Sequence, residues 1–285
     1  DSLIVNEARQ RNDREILLNE KLTTELRPTL FLAQLANLVA GNISIVHKVA
    51  GSSRTFMGEE AAGISAVATA YARILAGQSS HTLVGGSFVA ERRDILLMME
   101  SVHALSRGDW APLWDRPADE DGGMIMGTVG AFVVLESREH AEARGAHIYA
   151  VLSGVEGDRG KRDDGRFEQR LERLFKDAGF TGAGNEAILS GATGLTDITM
   201  REAAFVKEHF PSAPLRGYTG VTGHAMEANF TLGIALAALA LDKQAVLPVF
   251  NSGGEQPMSA PAEKIAVTTV GHQRGEGVAV LSAEK

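Results

Sequence analysis

The sequence predicts an α/β protein with a layered, internally duplicated architecture, and three observations predict it. Strand-like and helical segments alternate along most of the chain, the pattern of helices packed on a sheet. Residues 58–77 and 224–241 are apolar on nearly every face, whereas a surface helix keeps a polar stripe. Such helices must be covered on both sides, so they belong between two sheets. Each also follows a strand and a turn, and this repeated unit points to duplication.

In chain order, residues 1–28 are highly charged and read as exposed helix or loop. A helix is predicted from Thr29 to Ala40, with Pro28 before it and Gly41 after it. Residues 42–49 read as a short strand. The first apolar helix covers 58–77. Strands are expected at 81–87, 127–136, 147–155 and 186–190, and helices at 167–178, 197–210 and 224–241. Strands at 264–270 and 277–283 close the chain. The segment EGDRGKRDDGR (156–166) reads as a surface loop. Its Gly160-Lys161 lacks the Ser/Thr of a phosphate loop. PADEDGG (117–123) lacks calcium-loop spacing and reads as a solvated turn.

Composition narrows the function. The 285 residues carry 28 basic and 36 acidic side chains, a net charge of −8, which argues against a sequence-independent nucleic-acid binder. There is no cysteine, so disulfides, thiolate metal sites and a cysteine nucleophile are excluded. The longest apolar run, Phe230 to Leu241, falls short of the ~20 residues that span a bilayer. No membrane insertion is expected, and a cytoplasmic location is the default. The chain opens at Asp1-Ser2-Leu3 without methionine, in what reads as mid-domain sequence, so the natural protein is expected to be longer.

From about Leu26 onward the chain resembles the β-ketoacyl-acyl carrier protein synthases. The resemblance is carried by LRPTLFLAQLANLVAGNIS, SHTLVGG, WDRPADEDGGMIMGTVGAFVVLESREHAEARGAHIYAVLSG and VTGHAMEAN. It implies the thiolase fold: duplicated βαβ-type halves in α-β-α-β-α layers, a single domain over 1–285 divided into 1–136 and 137–285. By that comparison the first half lacks its N-terminal strands, about a quarter of the fold.

The family's chemistry uses a cysteine at the start of the first buried helix, two histidines, a lysine and a glycine-rich C-terminal loop. The nucleophile position falls at Glu60, which is either an ordinary first-turn acid or a group pointing into a remnant pocket. Gly191 stands at the first histidine and Thr219 at the lysine. The second histidine is retained as His224, which either caps the turn that opens the second buried helix or keeps a chemical role. In the C-terminal loop, 268–276, the gating aromatic is replaced by His272 and two glycines by Gln273 and Arg274. His47, His81, His103, His140, His147 and His209 read as surface residues.

The resemblance then implies a catalytically deficient, chain-length-factor-like subunit of fatty acid or polyketide-type biosynthesis. Its partners would be an active β-ketoacyl synthase, in a homo- or heterodimer through the strand at 81–86, and acyl carrier protein. No cofactor and no metal are implied. Two alternatives remain: a residual enzyme on malonyl- or acyl-carrier thioesters using Glu60 and His224, or a carrier-protein-binding scaffold using Arg92, Arg93, Lys161, Arg162 and Arg201.

Overall fold

The computed structural model describes residues 2–25, 35–116, 123–251 and 253–284. Two compact units emerge, Asp1–Thr55 and Phe56–Lys285. The first contains α1 (Ser2–Arg9), α2 (Arg14–Glu25) and α3 (Asn37–His47). The expected strand at 42–49 is therefore wrong: helix continues through Gly41 to His47, and Lys48 ends it with a left-handed backbone (φ 55°). Ile43, Ile45 and Val46 carry β-branched side chains, but strand propensity needs a paired neighbour to act on. Of the predicted helix 29–40, residues 29–34 lie outside the described residues, and residues 37–40 are helical as the start of α3.

The second unit contains α4 (Glu60–Leu75), β1 (His81–Phe88), α5 (Arg93–Ser101), β2 (Val129–Glu136), α6 (Arg138–Ala143), β3 (Val151–Asp158), α7 (Arg166–Asp177), β4 (Glu186–Ser190), α8 (Thr196–His209), β5 (Leu215–Gly217), α9 (Thr219–Thr222), α10 (Asn229–Asp242), β6 (Lys264–Val270) and β7 (Glu276–Ser282). One sheet is the antiparallel pair β1-β2. The other has order β3-β7-β6-β4-β5, with β4 parallel to β5 and β6 and the remaining pairs antiparallel.

Every residue of β4 is buried, as a strand covered on both faces requires. One face packs on α7, whose Phe167, Leu171, Leu174 and Phe175 repeat at helical spacing, and on Ile198, Phe205 and Val206 of α8. The opposite face packs on α4 (Ile64, Val67, Ala70) and α10 (Phe230, Ile234, Ala237, Leu241). Val84 of β1 joins that same core, with Val133 and Leu135 of β2 beside it. The two apolar helices thus lie between sheets, which is why neither keeps a polar stripe. Small residues permit this approach: a Cβ at Gly63 would lie 2.3 Å from the Glu227 carbonyl. The second apolar helix starts later than the sequence suggests, at Asn229, because residues 223–228 form a turn that carries His224.

Candidate functional site

Glu60 opens α4, and the residue before it, Glu59, has the positive φ (58°) of a sharp strained turn. Glu60 is an acid in the first turn of α4, and its side chain is 0% exposed. Its Oε1 accepts a hydrogen bond from His224 Nε2 at 2.8 Å, from His272 Nδ1 at 3.0 Å and from the His272 backbone N–H at 3.2 Å. Burial by itself would raise the Glu60 pKa. The hydrogen bonds and charges of the two histidines outweigh it and hold the carboxyl below its ordinary range, and a helix N-terminus favours the same anionic form. His272 moves the other way. Burial disfavours its charge, but Glu60, with Glu59 adding to it, raises its pKa above the ordinary histidine value.

His272 is delivered by the β6–β7 turn, closed by Gly271 N–H donating to the Gly275 carbonyl at 2.7 Å. Arg162 braces that turn, bonding the Gly271 carbonyl at 2.6 Å and Glu276 at 2.7 Å. Glu276 is 0% exposed and also accepts from Arg170 at 2.9 Å. The segment 156–166 is therefore not simply a surface loop. Residues 156–158 complete β3, and Arg162 is drawn inward by a buried carboxylate that sequence proximity does not reveal.

The Gly191 position is closed. A Cβ there would lie 2.4 Å from the Tyr218 hydroxyl, 2.6 Å from Asn229 Nδ2 and 2.8 Å from the Thr268 carbonyl. Asn229 donates to the Gly191 carbonyl at 2.9 Å, and Tyr218 donates to the Asn229 carbonyl at 2.8 Å. Thr219 is buried and spends its hydroxyl on the Ala192 carbonyl at 2.6 Å. Below this turn lies Glu202, 0% exposed, which accepts from Ser190 at 3.0 Å and Thr268 at 2.5 Å. Burial pushes its pKa up to about 6 against these bonds. Space for an imidazole at residue 191 has been taken by neutral neighbours.

The structure thus brings together Glu60, His224 and His272, and it places Gly191 and Thr219 in a separate, filled corner. His224 is not a lone turn cap: it bonds Glu60 across 164 residues. Sequence reasoning missed Tyr218 and Asn229 as the groups that close the Gly191 corner, and Glu202 as a buried acid. Asn229 ends the motif VTGHAMEAN and Tyr218 lies three residues before it, whereas Glu202 lies in no such motif, and only contact shows what they do. Among the described residues, Glu59, Glu60 and His272 each offer a donor atom within 4.8 Å of the others, a group that could hold a metal ion. Of the histidines read as surface residues, His140 is half-buried and stacks on His81 at 4.8 Å.

Residues 6–141 match the model of the β-ketoacyl synthase N-terminal domain. Over those residues the chain is similar to the β-ketoacyl synthases. It is 29% identical over 252 residues to a 3-oxoacyl-[acyl-carrier-protein] synthase 2 of Rhizobium meliloti, covering 84% of this chain and 60% of that protein. Among solved structures, the ishigamide ketosynthase/chain length factor superposes with TM-score 0.77 at 21% identity, covering 96% of this chain and 72% of the other. A ketosynthase structure with its type II polyketide acyl-carrier protein superposes with TM-score 0.73 at 22% identity, over 86% of this chain and 66% of the other. The likeness confirms the thiolase fold that the motifs implied, and the proteins that the chain resembles include synthases named for 3-oxoacyl-acyl-carrier-protein and polyketide chemistry. It spans about 60% of the length of the Rhizobium relative. Among the described residues no helix is long and apolar enough to cross a membrane.

Proposed function

We propose that this β-ketoacyl synthase homologue is a non-condensing, chain-length-factor-like subunit that pairs with an active synthase. One observation carries the reading: the position that the resemblance gives to the nucleophile holds Glu60, a buried carboxylate locked between His224 and His272. A carboxylate is a poor acceptor from a thioester, because the mixed anhydride formed lies above the thioester in energy. The chain has no cysteine to take its place. The closed corner at Gly191 supports the same reading, since a second imidazole has no room there.

A partner surface is available. Leu83 on β1 stands opposite Val134 on β2, and Gly85 opposite Phe132. Leu83, Phe132 and Val134 are exposed at 39%, 39% and 57%. The other edge of β1 has no ladder partner among the described residues, as a strand that pairs across a dimer would need. Co-expression with the synthase from the same gene neighbourhood and purification through a tag on one chain tests the reading. A stable complex of the two is expected, and recovery of the tagged chain alone would sink it.

The Glu60–His224 contact favours one second reading, a residual decarboxylase or hydrolase of malonyl- or acyl-carrier thioesters with the pair as base and acid. Carbon dioxide release from malonyl-loaded carrier protein, above that of a variant with Glu60→Ala and His224→Ala, would establish decarboxylation, and release of the free carrier thiol above that variant would establish hydrolysis. A carrier-protein scaffold has less support. Arg92 pairs with Asp94, Arg162 with Glu276 and Arg201 with Glu168, so these cations are already engaged within the chain. A low-salt titration with acyl carrier protein decides that role.

A further inference from the structure

We propose that Arg162 is a positioning residue for the Glu60 site: it fixes the backbone on both sides of His272 and so sets that ring on the carboxylate. The proposal concerns the site itself and does not depend on the partner role.

Arg162 stands between β3 and α7, and its backbone is held in place before its side chain reaches out. Arg170 donates to the Lys161 carbonyl at 2.7 Å, and Arg201 donates to the Arg162 carbonyl at 3.0 Å. Gly160 leaves room for the first of these, since a Cβ there would lie 2.0 Å from Arg170 Nη2. The Arg162 side chain then turns inward and is 14% exposed. Its anchor is Glu276, 0% exposed, which takes Arg162 Nε on one oxygen at 2.7 Å and Arg170 Nη1 on the other at 2.9 Å. A buried charge is tolerated only when it is paired in this way.

With Nε engaged by the anchor, the two remaining nitrogens meet the β6–β7 turn. Nη2 donates to the Gly271 carbonyl at 2.6 Å and Nη1 to the His272 carbonyl at 3.4 Å. These carbonyls belong to the two peptide groups that flank His272, so the planar fork restrains the backbone from which the ring projects. From there His272 meets Glu60 Oε1 through its N–H at 3.2 Å and through Nδ1 at 3.0 Å. A lysine, one point of charge on a flexible stem, could not hold both the anchor and the turn.

Position and charge lead to opposite outcomes. Burial disfavours the charged form of His272, Glu60 and Glu59 at the start of α4 favour it, and the Arg162 charge opposes it. Arg274, on the same turn, is exposed. A residue acting only through its field would, once neutralised, leave His272 easier to protonate. A residue that positions the ring would, once altered, let His272 leave Glu60 and become harder to protonate.

NMR titration of His272 in the full chain, labelled at histidine and assigned with His272→Gln, tests the proposal. Arg162→Gln and Arg162→Lys are both expected to shift the His272 pKa downward, toward the ordinary histidine value. The His272 backbone N–H is expected to exchange with deuterium about tenfold faster or more in both, because hydrogen bonds from a charged group hold its turn closed. Arg162→Lys keeps the charge, so only loss of the fork can move its titration, and it stands alone if Arg162→Gln does not fold. A raised or unchanged His272 pKa in either variant overturns the proposal, and so does unchanged exchange at His272. The measurement uses this chain without a synthase, so its outcome and that of the co-purification are separate.

Discussion

The two buried helices begin in opposite ways. At the start of α4 the chain buries a charge, Glu60, and surrounds it with His224 and His272. At the start of α10 it buries a neutral amide, Asn229, which bonds the Gly191 carbonyl while Tyr218 closes over it. The resemblance gives residue 60 to a nucleophile and residue 191 to a histidine. Here one is closed by electrostatics and the other by packing. The comparison teaches that a site can be filled by two kinds of interaction whose failure modes differ. The charged plug is strong, depends on pH and leaves a stranded partner if broken. The neutral plug's own contacts, between Asn229, Tyr218 and Gly191, carry no charge, and it fails through overlap.

The largest effect is expected at the charged plug. Glu60→Ala leaves two buried histidines without their acceptor, and removing one partner of a buried ionic network costs about 3–5 kcal/mol. Urea denaturation at neutral pH checks it, and a loss below about 1 kcal/mol would show that the contact contributes little. At the neutral plug, Gly191→Ala drives a methyl within 2.4 Å of the Tyr218 hydroxyl and 2.8 Å of the Thr268 carbonyl. Overpacking of that kind costs about 1–3 kcal/mol, and the same figure is expected at pH 5 and pH 8.

Glu202 lies between these extremes, a titratable group inside the neutral corner. Its folded pKa, about 6, stands above the ordinary 4.5, so the native state holds its proton longer than the unfolded chain does. Stability therefore falls as pH rises from about 4.5, and the penalty is complete above about 6. A gap of about 1.5 units is worth about 2 kcal/mol. Glu202→Gln is expected to stabilise the protein by about that amount at pH 8 and by little at pH 4.

The smallest effect is a slope. The raised pKa of His272 contributes stability that is full below the ordinary histidine value and lost as pH rises through the folded one. The lowered pKa of Glu60 contributes stability present above the ordinary glutamate value and lost as pH falls through the folded one. The pair thus bounds its own window on both sides. His272→Gln is expected to flatten the alkaline limb of a plot of Tm against pH, and an unchanged limb would refute the assignment.

Much of the fold was legible because its signals are local. The apolar runs of α4 and α10 announce burial on all sides, and the spacing of Phe167, Leu171, Leu174 and Phe175 announces α7. Residues 42–47 were misread because β-branched side chains suit a strand wherever a ladder exists, and in α3 the backbone satisfies itself instead. Arg162 was placed outside because its carboxylate partner, Glu276, lies 114 residues away.

The sequence by itself determined the layered α/β class, the resemblance to the β-ketoacyl synthases and the exclusion of thioester transfer through cysteine, since these follow from periodicity, contiguous motifs and the absence of one residue type. Tertiary structure alone decided that Glu60 is buried and anionic, that His224 and His272 converge on one of its oxygens, and that Tyr218 and Asn229 close the corner at Gly191. The reason is physical. Periodicity and composition act over a few residues, whereas desolvation and hydrogen bonding depend on which distant segments pack together, and Glu60 meets its two histidines across 164 and 212 residues.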